Sequence, residues 1–128
     1  MADNAREENG LNMQAEKYEF SEIEIISEIQ NNLIMKKLLS AEESEDSLSV
    51  VWVKIDGRHR QLRTNSKRRV YFILEGSFTF IVDSNPRVQL TKNDLLTLHQ
   101  STTYSFWGVG EYLVMNTPAF KDGDDEYM

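Results

Sequence analysis

Between positions 54 and 69 the chain carries seven basic residues, Lys54, Arg58, Arg60, Arg63, Lys67, Arg68 and Arg69, against a single acid, Asp56. The rest of its 128 residues holds seven bases and twenty acids, so this run stands apart in a chain of net charge −7. Guanidinium groups fork onto carboxylate or phosphate oxygens, each charged hydrogen bond being worth roughly 1.5–3 kcal/mol, so the chemistry implied is capture of a small anion. Arg58, Arg60, Lys67 and Arg68 read as solvated charges that offset the acidic surface. With no cysteine, disulfides, thiol nucleophiles and cysteine-zinc sites are excluded, and two histidines, His59 and His99, cannot build a three-histidine centre. The overall acidity also argues against a nucleic-acid surface, although Tyr71 follows the basic run.

The elements that must position these residues are short. Apolar residues recur with a period near two, and the breaks between them are turn residues, which points to strands rather than a helical bundle. The pattern predicts strands at 23–26, 33–39, 48–55, 70–74, 78–82, 87–90, 95–98, 104–107 and 111–116. The spacing of Glu22, Ile23, Ile26, Ile29 and Leu33 also fits a helix. Glu75-Gly76, Asp83-Ser84-Asn85-Pro86 and Lys92-Asn93-Asp94 mark turns, and Gly57, Gly108 and Gly110 punctuate strand ends. Short strands at this spacing imply an all-β sandwich or barrel of one domain. Residues 1–16 and 121–128 are acidic and read as flexible, solvated tails around a domain at 17–120. No apolar run approaches the roughly 20 residues of a spanning helix, and MADNAREENG lacks a signal peptide's basic and apolar start, so the expected compartment is the cytoplasm.

Taken together, VYFILEGSFTFIV, the turn DSNPR, VQL, the turn TKND, LLTLHQSTTYSFWG and EYLVMNTPAF resemble a small single-domain cupin of the RmlC-like kind. NNLIMKKLLSAEESEDSLSVVWVKIDG is similar to the opening strands of such proteins. The resemblance spans about residues 20–120 and implies a jelly-roll β-barrel, commonly a homodimer that pairs N-terminal strands. Cupins hold a metal with three histidines and a carboxylate. Aligned without gaps, those positions fall on Arg63, Asn65, Arg69 and Tyr104, and a guanidinium has no lone pair to offer a metal, so no metal or other cofactor is expected. His59 and His99 lie off the motif and read as surface or strand-end residues.

If the cupin register holds, alternation turns Arg69, Tyr71 and Ile73 inward together, as it does Tyr104 with Phe106 and Arg63 with Asn65. Arg63, Asn65, Arg69, Tyr71, Tyr104 and Phe106 then form a donor-rich pocket with an apolar floor, suited to a small anionic ligand. Trp52, Phe72, Phe78, Phe80, Trp107 and Tyr112 read as core or dimer packing. The function implied is a metal-free binding module for a sugar phosphate, nucleotide sugar or organic acid. One alternative is a metal-independent sugar-nucleotide isomerase or epimerase with Tyr104 as acid, its pKa lowered by the arginines, for which only Glu75, Asp94 or His99 is at hand as base. The other is an interaction protein whose barrel is filled, with Glu75 or another buried acid paired to Arg69.

Overall fold

The computed structural model describes residues 15–40 and 48–128, so nearly all of the N-terminal tail expected at 1–16 lies outside the described residues. Eight strands follow one another: β1 (Ile26–Glu28), β2 (Leu33–Leu39), β3 (Ser49–Thr64), β4 (Arg68–Val82), β5 (Val88–Thr91), β6 (Leu95–His99), β7 (Thr102–Thr117) and β8 (Asp125–Tyr127). All pairings are antiparallel. The strand expected at 23–26 starts later, between short 3-10 turns at Phe20–Glu22 and Ile29–Asn31, and no longer helix forms there. No described helix is long and apolar enough to cross a membrane.

Three long strands carry the architecture. β7 lies between β3 and β4 along its whole length. Glycines expected to end strands bend them instead: Gly57 pairs with Gly108 and Gly76 with Gly110, so the segments 70–74 and 78–82 fuse into β4, and 104–107 and 111–116 into β7. Beyond this bend β1 and β2 extend the first half of β3, while β8 flanks its second half; β6 and β5 flank the two halves of β4. The two halves face each other across a core that includes Val53, Ile55, Tyr71, Ile73 and Tyr112 from one side and Leu62, Phe78, Phe80, Tyr104 and Phe106 from the other. Among the described residues the ladder does not close into a complete ring, and β1 is left as an edge.

The bend depends on glycine. Gly76 has φ +92°, and a Cβ there would lie 2.0 Å from the Val109 carbonyl oxygen, a backbone atom that cannot step aside. Gly76→Ala should therefore cost at least about 2 kcal/mol, from left-handed strain and from prising the β4 and β7 backbones apart. A urea denaturation midpoint that matched the wild type would disprove this account of the bend.

The acidic C-terminus departs from expectation. It does not leave the domain: Asp125, Glu126 and Tyr127 pair with Thr64, Arg63 and Leu62, and the Asn65 amide donates to the Asp124 carbonyl at 2.8 Å. Composition alone could not show this, because β8 is anchored by backbone hydrogen bonds and two individual side chains.

Candidate functional site

A cavity of about 210 Å³ opens between the two halves, on the side where β1 and β2 approach β8. Its apolar wall includes Leu33, Met35, Val53 and Val114, and its polar groups include His59, Arg69, Tyr71, Asn116 and Asp125.

Arg69 enters from β4 and is 3% exposed. Its Nε donates to Asn116 Oδ1 at 2.7 Å, one terminal nitrogen donates to the Tyr104 hydroxyl at 2.9 Å, and the other reaches Ser66 Oγ at 3.4 Å and Asp125 Oδ1 at 2.5 Å. Burial works against the charge, but the oxygens of Tyr104, Tyr71 and Asp125 outweigh it and hold the pKa above its ordinary value. The acid that meets Arg69 is Asp125, not Glu75, which pairs with Lys92 on the surface.

The Tyr71 and Tyr104 hydroxyls are 2.5 Å apart. Because the Tyr104 hydroxyl accepts from Arg69, its own O–H can donate to the Tyr71 oxygen, leaving the Tyr71 O–H to donate into the cavity. Burial is the main cause that pushes both phenols up, Tyr71 well above its ordinary value, so both are held protonated. For Tyr104 this reverses the lowering expected from the arginines, since burial exceeds the effect of Arg69.

His59, expected at the surface or at a strand end, lies instead in the middle of β3 and turns into the site. It is 7% exposed, lines the cavity, and is stacked between Phe106, at 4.8 Å between ring centroids, and Tyr127, at 6.2 Å. Its Nδ1 lies 2.9 Å from the Arg60 carbonyl, an acceptor only, so Nδ1–H donates to that oxygen and Nε2 keeps the free lone pair. Burial lowers its pKa, with the Arg60 carbonyl only partly opposing, so the ring is a neutral base.

The expected pocket residues divide. Arg69 and Tyr71 line the cavity; Tyr104 lies behind them in the core, and Phe106 is wholly buried as the ring on which His59 stacks. Arg63 and Asn65 face away: Arg63 pairs with Glu126 at 3.0 Å, and Asn65 donates to the Gly123 carbonyl at 3.0 Å. The physical reason is a register shift between His59 and Leu62, which turns Leu62, Thr64 and Ser66 inward where strict alternation would have turned Arg63 and Asn65. Val53, Ile55 and His59 share the inward face before that shift. Alternation alone could thus have found His59, whereas Asn116, Asp125 and Tyr127 had no motif to reveal them. Among the described residues no three His, Asp or Glu side chains converge to hold a metal ion, and the matched cupin positions do not fit one.

No family model and no curated protein matches the sequence. Solved structures do. The nucleoside dehydratase Pac13 of Streptomyces superposes with a TM-score of 0.77 at 21% identity, over 89% of this chain and 91% of that one. The fold is that of the cupins. The polyketide cyclase RemF from Streptomyces resistomycificus superposes on this cupin fold with a TM-score of 0.73 at 10% identity, covering 89% of this chain and 85% of its own. KdgF from Halomonas sp. gives 0.70 at 14%, covering 82% and 94%. Three Pac13 structures contain uridine, each with one substitution, of a histidine by glutamine or of one of two tyrosines by phenylalanine.

Proposed function

We propose that the cavity is the active site of a cupin-fold enzyme that removes water from a nucleoside or similar hydroxyl-rich ring compound. The observation that carries this reading is the pairing of a buried, neutral His59 with a protonated Tyr71 on one small cavity. Environments that push an acid and a base apart in pKa are how proton-transfer sites assign their roles. His59 Nε2 would take a proton from carbon, the electron pair would form a double bond and expel the neighbouring hydroxyl, and Tyr71 would give that group the proton with which it leaves as water. Arg69 and Tyr104 stand behind Tyr71 and stabilise the phenolate left behind. Such a proton is acidic enough only beside a carbonyl or an equivalent electron sink, which defines the substrate class further.

The Pac13 likeness supports the assignment beyond the fold. The histidine and two tyrosines replaced in its uridine-containing variants are 13 and 34 residues apart, and His59, Tyr71 and Tyr104 follow one another here at 12 and 33. A sugar-nucleotide isomerase or epimerase would use the same pair, with Tyr71 in the place expected for Tyr104. A binding module would use the cavity without turnover. Incubation with uridine and with uridine derivatives carrying a sugar carbonyl distinguishes them. Dehydration should give a product lighter by one water and absorbing as a conjugated carbonyl. Isomerisation would leave the mass unchanged, retention without conversion would identify a binding module, and no thermal shift with any of these compounds would overturn the nucleoside assignment.

We also propose a homodimer. Among the described residues β1 is an edge strand, with Ile25 57% exposed and Ile29 82% exposed beside it, a template for pairing with a second chain. Light scattering at micromolar concentration should report about twice 14.9 kDa; a monomer would refute the pairing.

A further inference from the structure

β8 is a wall of the cavity, and its alternation divides its residues. Asp125 and Tyr127 face inward, and Glu126 between them faces out to Arg63. Tyr127 covers His59, while its hydroxyl accepts from Asn31 Nδ2 at 3.3 Å and the Arg60 guanidinium lies 4.0 Å over its ring. Asp125 brings a carboxylate to the buried cation. Its Oδ1 is buried, stands 2.5 Å from Arg69 and makes no aligned hydrogen bond, so the contact is one of charge. The side chain as a whole is 25% exposed, and that exposure belongs to the rest of it, which lines the cavity. The other partners of Arg69, on Asn116, Tyr104 and Ser66, are neutral oxygens.

A guanidinium on the wall of a small-molecule cavity would ordinarily be a receptor for a carboxylate or phosphate. Here the chain supplies that anion itself. We propose that Asp125 sets the charge selectivity of the cavity: it occupies the anion position on Arg69, turns away carboxylate- and phosphate-bearing ligands, and offers its remaining acceptor edge to the hydroxyls of an uncharged one. The other charges on the wall, Lys37 and Glu28, are of opposite sign and leave this balance unchanged. The choice of an uncharged, hydroxyl-rich ligand rests on the nucleoside reading above; the anion position on Arg69 does not.

Two arms test this separately, with wild type, Asp125→Asn and Asp125→Ala. In the first, calorimetry compares uridine with uridine 5′-carboxylate. The wild type should prefer uridine by about tenfold or more, and Asp125→Asn, which keeps the shape and removes the charge, should abolish or reverse that preference. In the second, sodium formate is added at constant ionic strength. Formate should raise the melting temperature of Asp125→Ala saturably, by filling the vacated position, and leave the wild type unshifted. An unchanged preference in Asp125→Asn overturns the inference and leaves the nucleoside reading standing. If the wild type binds neither nucleoside, that reading fails and the formate arm decides, a missing shift in Asp125→Ala overturning the inference as well.

Discussion

Replacing His59 by glutamine should lower turnover of the dehydrated substrate by 10²- to 10⁴-fold, the usual contribution of a positioned base, while changing ligand affinity little. Glutamine retains a polar group of similar reach but cannot take a proton. The pH profile gives a second readout. His59 works as a base only when neutral, and burial lowers its pKa below the ordinary 6.5. Activity should persist below pH 6.5 and fall only as pH drops through the lowered pKa. On the alkaline side Tyr71 must stay protonated, and its pKa is raised well above 10.0, so it imposes no loss until the solution is more alkaline than that. Tyr71→Phe should lower turnover by a similar factor, since the leaving hydroxyl would then depart without its proton. Full activity in His59→Gln, or an acid limb centred at or above 6.5, would remove His59 from the reaction. The same lowered pKa has a consequence for stability. Between pH 6.5 and the folded-state value the unfolded chain binds a proton that the folded one does not, so the contribution of His59 is present above 6.5 and is lost as pH falls through that window.

What could be read from the sequence was the part governed by short-range pattern. The strands at 33–39 and 95–98 and the turns at Asp83 and Asn93 recur in the structure nearly as expected, because apolar alternation and turn residues dictate them locally. The inward facing of Tyr71 and Ile73 follows from the same alternation, and the cupin-like order of segments carried the architecture. Three features had causes that alternation does not encode. Gly57, Gly76, Gly108 and Gly110 read as strand ends, yet the bend they permit is formed only when two strands cross and their glycines meet. The register shift after His59 reverses the facing of the residues from Gln61 to Ser66, so the composition of the charge run is legible in the sequence while its direction is not. Asp125 lies 56 positions from Arg69 in a segment whose composition reads as a tail, and only the tertiary pairing of β8 with β3 joins them.

Arg69→Met should destabilise the fold by about 3 kcal/mol rather than leave it intact, as a ligand-holding arginine facing solvent would. Methionine fills most of the volume, so little of the loss comes from a cavity. The loss comes from what Arg69 leaves behind: Asn116 Oδ1 with only the Ser66 hydroxyl as donor, the Tyr104 oxygen with only the Tyr71 hydroxyl beside it, and the buried Oδ1 of Asp125 without its counter-charge. The 25% exposure of the Asp125 side chain moderates the last cost, since water can reach part of the carboxylate. This attribution makes a second variant informative. Adding Asp125→Asn to Arg69→Met removes the orphaned charge, and the double variant should recover part of the stability, the two substitutions being non-additive by about 1 kcal/mol or more. Urea denaturation of the four proteins at neutral pH measures the cycle. If Arg69→Met matches the wild type, or if the two losses simply add, Arg69 is not held by Asp125, and the cavity wall must owe its order to the β4 and β7 backbones alone.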